Sequence, residues 1–122
     1  AAVKQFVGAA HGNLDMTKEM LEATPSLLNA TMDHGGGDFE AAISGAGHMG
    51  RRDIAEYLIS RGAKTTIFVH AMMGDLEIVK AMIARYPGLK DSKGPHGITL
   101  KRHAEMGGES AKNVFDYLEK LG

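Results

Sequence analysis

The sequence predicts an all-α chain: about four stacked helix-turn-helix repeats forming an α-solenoid, with one or two hairpin-like loops. Two observations lead there. The first is a phrase that recurs around a glycine, His-Ala-x-Met-Gly, verbatim at His70–Gly74 and His103–Gly107, with related small-residue runs closing on Gly12 and Gly50. The second is an apolar pattern just after each glycine. Beyond Gly74, Leu76, Ile78, Val79, Met82 and Ile83 recur at the spacing of an apolar helix face. Aligning the four glycines brings Met20-Leu21, Leu58-Ile59 and Met82-Ile83 to one register, and Tyr117-Leu118 joins them once a longer turn is skipped.

Taken in order, Val3 to Ala30 gives a small-residue helix through Phe6, Val7, Ala9 and Ala10. A hinge at Gly12 comes next, then a second helix that Thr24-Pro25 stops. Asn13 and Asp15 suit the entrance of that second helix, where side-chain oxygens meet orphan N–H groups and a negative charge meets the positive dipole end. Asn29 to Phe39, with three consecutive glycines, reads as a long loop or extended hairpin. Phe39 to Gly50 and Asp53 to Ile59 make the second helix pair, closed by Gly62 in a position suited to the left-handed conformation. The third pair runs to Arg85 and stops at Tyr86-Pro87-Gly88. A turn-rich link, the second hairpin site at Lys90 to Ile98, feeds the fourth pair. Ala9, Ala46, Ala71 and Ala104 keep the first helix of each pair slim enough for neighbours to close over it.

At 122 residues and 43% hydrophobic content the chain builds one domain, 1–122, with repeats at roughly 3–30, 38–63, 66–88 and 97–122. The 14 basic and 15 acidic residues are interspersed and the net charge is −1, so nucleic acid is an unfavoured partner. No apolar run approaches a membrane span. Cysteine is absent, which removes disulfides and thiolate chemistry together. A start at Ala1-Ala2 fits a chain trimmed at its front or one from which an export signal has been cleaved.

The glycine-to-glycine separations of the repeat bracket a period near 33 residues. Gly74-Asp75-Leu76-Glu77-Ile78-Val79-Lys80, Arg61-Gly62-Ala63-Lys64 and Gly97-Ile98-Thr99-Leu100 carry a resemblance to the ankyrin-repeat family, in its second-helix start, its repeat ending and its repeat opening. The family's T-P-L-H box is absent from the first three copies and loses its proline and histidine in the fourth, at Thr99 to Arg102. The resemblance implies a bacterial ankyrin-like protein, cytoplasmic or exported, that is no enzyme, has no cofactor, acts as a monomer or weak homo-oligomer and binds another protein through its concave face and loop tips.

The surface expected to do so comprises His11, His48, Met49, Met72, Met73 and His103 from first-helix ends, with Asp33, His34, Asp38 and Phe39 from the first hairpin. Thioethers there would give an adaptable apolar contact; equally, they would fill the core. The alternative is a small-ligand- or metal-binding or enzymatic role that uses a His/Asp/Glu cluster near the second and third repeats. His11, His48, His70 and His103 all fall near first-helix ends, where two or three could meet Asp38 or Glu40 as a zinc-type set. No H-x-x-x-H or H-E-x-x-H pair imposes ligand geometry from one helix, so no metal is assigned and helix-end histidines are the plainer reading. Gly35-Gly36-Gly37 lacks the Lys-Ser/Thr of a phosphate loop and is flanked by Asp33 and Asp38, which favours a hairpin tip with positive φ. Ser44 lies in no nucleophile elbow.

Overall fold

The computed structural model describes residues 1–122. It is mostly helical: α1 (Ala2–Ala9), α2 (Leu14–Ala23), α3 (Ala42–His48), α4 (Arg52–Ser60), α5 (Ile67–Met73), α6 (Leu76–Arg85), α7 (Leu100–Met106) and α8 (Lys112–Leu121), plus strands β1 (Thr31–Asp33) and β2 (Phe39–Ala41). The two strands form one antiparallel hairpin, pairing Thr31 with Ala41, Met32 with Glu40 and Asp33 with Phe39. The second expected hairpin closes on a single bridge between Lys93 and Thr99. No helix is long and apolar enough to cross a membrane.

Each odd-numbered helix packs on the even-numbered helix after it, and α1, α3, α5 and α7 pack against one another in chain order. The alanines make this approach close: Ala46 and Ala71 are fully buried, and Ala104 and Ala9 nearly so. Two apolar cores result. Phe6, Leu21, Ile43, Ile54, Leu58 and Met72 centre the first, and Ile67, Val79, Ile83, Leu100, Val114 and Leu118 centre the second; α5 contributes to both.

Local chemistry explains the helix boundaries. Asn13 accepts a hydrogen bond from the Met16 N–H, and the Thr66 and Thr99 hydroxyls accept from the Val69 and Arg102 N–H groups. The first helices end beside the aligned glycines, α5 at Met73 and α7 at Met106, with α3 two residues and α1 three residues short of theirs. Three of those glycines, Gly50, Gly74 and Gly107, serve approach as much as turn. Gly107 has an ordinary φ of −74°, yet a Cβ there would collide with the Met72 carbonyl. A Cβ on Gly50 or Gly74 would likewise strike the carbonyl of Met106 or Ser110. Side chains add ties at the same turns, with Arg51 donating to the Gly12 carbonyl, Arg52 to that of Met73 and Asn113 to that of Gly74.

Some expectations need correction. Phe39–Ala41 belongs to β2, and α3 begins only at Ala42. On α6, Val79 and Ile83 face the core whereas Ile78 is 42% exposed, because the buried stripe follows an i, i+4 spacing that leaves Ile78 beyond its edge.

Candidate functional site

Strand β2 inverts the usual alternation. Successive side chains point to opposite faces, and here Phe39 is 55% exposed while its neighbour Glu40 is 2% exposed. The hairpin thereby directs a carboxylate into the body of the protein, where four histidines meet it. His48, the last residue of α3, brings Nε2 to 2.7 Å from Oε2, and His11, just after α1, lies 3.0 Å from the same oxygen. Two loop residues approach the other oxygen: Nε2 of His34, just after β1, lies 2.9 Å from Oε1, and Nε2 of His96, in the second hairpin, 3.3 Å. The rings pack in pairs, His11 with His48 at 4.8 Å between centroids and His34 with His96 at 4.7 Å.

The backbone is shaped to deliver these groups. His96 is the one non-glycine residue with positive φ, 61°, in the turn that begins at Pro95. It is held there by Asp38, whose Oδ1 accepts from the His96 backbone N–H and whose Oδ2 lies 2.8 Å from Nδ1. A sparsely populated conformation of this kind persists only where its surroundings enforce it. Gly35, Gly36 and Gly37 all have positive φ, as expected of the first hairpin tip. Gly45 on α3 makes room for the His11 ring: a Cβ there would lie 2.6 Å from Cε1.

Protonation is set by the second nitrogens. His11 Nδ1 lies 2.7 Å from the Val7 carbonyl, which can only accept, so Nδ1 carries a proton. His96 Nδ1 likewise donates to Asp38. The hydrogen bond to Glu40 raises the His11 pKa above the usual imidazole value against the opposing effect of burial, and the Asp38 hydrogen bond does the same for His96. Burial by itself would raise the Glu40 carboxyl, but hydrogen bonds from His11, His48 and His34 outweigh it and hold the group far below the carboxylate range. The backbone N–H of His96 lowers Asp38 in turn.

No protein-family model matches this chain, and no curated protein matches it. Two trios share Glu40, one with His11 and His48 and one with His34 and His96, and within each the potential ligand atoms lie within 4.8 Å of one another.

Of the expected surface residues, His11, His34, Asp38 and His48 come together here. Phe39 and Met49 are exposed and adjoin Glu40 and His48 in the chain. Asp33 is exposed and accepts from the Gly35 N–H, closing the hairpin turn. Met72, Met73 and His103 do not reach the surface: they are 1%, 8% and 1% exposed, the two methionines packed in the first apolar core. Burial lowers the His103 pKa, and its ring packs on Phe68. His70 stands apart, held between Asp75 and Thr65.

His96 is the residue that spacing arguments miss. A sequence signal for it exists, because His11-Gly12, His34-Gly35 and His96-Gly97 share a histidine with glycine immediately after it.

Proposed function

We propose that this chain is a metal-binding protein whose His11, His34, His48, His96 and Glu40 side chains hold a divalent first-row transition metal. The observation that carries the reading is the opposition of acceptors. With Nδ1 committed as donor, neutral His11 and His96 turn a lone pair on Nε2 toward a carboxylate oxygen that is also an acceptor. Either both rings are imidazolium or a cation lies between the opposed lone pairs. A metal suits the arrangement well, because Nδ1–H donation to a carbonyl or carboxylate is how metal-binding imidazoles are oriented. Imidazole-rich sets favour zinc, iron, nickel or copper over magnesium and calcium.

The test is calorimetric titration and thermal melting of chelator-stripped protein with Zn²⁺, Ni²⁺ and Mg²⁺. Zinc or nickel at about 100 times its Kd is expected to stabilise the fold by about 2.7 kcal/mol. Magnesium is expected to have no effect, and Glu40→Gln is expected to abolish the response. Melting curves unmoved by every transition metal would overturn the reading.

The scaffold we read as an ankyrin-like solenoid, a reading supported by helix pairs that pack in chain order and by loops between pairs one and two and pairs three and four. Docking of another protein is a second reading, favoured by exposed Phe39 and Met49 beside the centre. Its probe is Phe39→Asp against Glu119→Lys in a pull-down. Equal binding by the two variants would remove this second role.

A further inference from the structure

We propose that the centre holds two metal ions with the Glu40 carboxylate spanning them, and that the coordination positions left vacant bind a small oxyanion. This rests on the reading of the cluster as a metal centre. The histidines are divided between the two carboxylate oxygens: His11 and His48 face Oε2, and His34 and His96 face Oε1. The division has a structural origin, since the first pair comes from helix ends and the second from the two hairpins. A single ion would need all four imidazoles to swing to one point in front of a chelating carboxylate. Two ions need only replace the existing contacts, each trio closing on its own ion while Glu40 bridges them at the roughly 3.5 to 4 Å typical of paired sites.

Each ion would then have three protein ligands, the number that leaves a position open. Two dications set against Glu40, and against Asp38 behind the His96 ring, also leave an excess of positive charge, which a bridging oxyanion would offset. There is space for one. A cleft of about 400 Å³ is lined by His11, His34, Glu40 and His96 together with Lys4, which adds a cation to the lining.

The experiment counts Co²⁺ bound to the full chain by native mass spectrometry and monitors the visible cobalt bands as inorganic phosphate is added. Expected are two ions per wild-type chain and one in each of the double variants His11→Ala/His48→Ala and His34→Ala/His96→Ala. Phosphate is expected to shift the bands of the two-ion form. A single ion in the wild type overturns the proposal while leaving the metal reading intact, and the wild-type count stands even if a variant fails to fold. Bands unmoved by phosphate overturn the oxyanion site. No cobalt at all would instead remove the metal reading itself.

Discussion

A carboxylate turned inward on a strand whose outward residue is phenylalanine runs against the hydrophobic effect, and Glu40 is tolerated only because four ring nitrogens surround it. Its neighbours give the metal-free and metal-loaded states opposite responses to pH. His11 and His96 have folded-state pKa values above their ordinary 6.5, so their contribution to stability is complete below pH 6.5 and is lost as pH rises through the higher folded values. Glu40 and Asp38 are shifted down, so their contribution is present above ordinary carboxylate values and is lost on acidification. Protein kept in chelator is therefore expected to melt higher at pH 6 than at pH 8. Metal-loaded protein is expected to do the reverse, because protons compete with metal for imidazole. Parallel slopes in the two states would show that the added metal is not bound at these rings. Along the chain, Asp38, Glu40, His11 and His48 are legible as potential ligands, and His34 as a surface residue. His96 is not, because the ligands come from four separate elements and no local spacing encodes their meeting.

Helices and turns are legible for a different reason: their signals are local. The glycine phrases, the Thr24-Pro25 stop and the Asn13 cap each act within a few residues, and each lies where the sequence indicates. Exposure is less legible, since Leu58 and Ile78 both fit an apolar face, but the first is fully buried and the second is not. Leu58→Ala is accordingly expected to cost about 2 to 5 kcal/mol in a denaturant titration, and Ile78→Ala under about 1 kcal/mol. Gly45 separates stability from function within a single helix. Replacing an interior helical glycine by alanine favours the helix by about 0.5 to 1 kcal/mol, but the new methyl would meet the His11 ring. Gly45→Ala is expected to weaken zinc binding at least tenfold by calorimetry while the protein still melts cooperatively. Unchanged affinity would show that His11 relocates freely and is not a ligand.

Across the whole molecule, the centre joins parts that lie far apart along the chain. His11 lies just past α1, His48 ends α3, and His96 lies in the loop before α7, so the ligands span the row of first helices nearly from end to end. Helices that touch mainly their neighbours tend to open in sections. Of the four pairs, only α7–α8 lies wholly beyond the last ligand. An ion bound at the centre thus acts as a buckle that leaves only one end of the stack unfastened, and the stack acquires a direction: it can peel from α8 but not from α1. Hydrogen exchange is expected to show this as metal-dependent protection of α1 and α3, with the amides of α8 nearly indifferent to metal. Equal slowing in α8 would mean that the buckle holds the entire row as one cooperative unit.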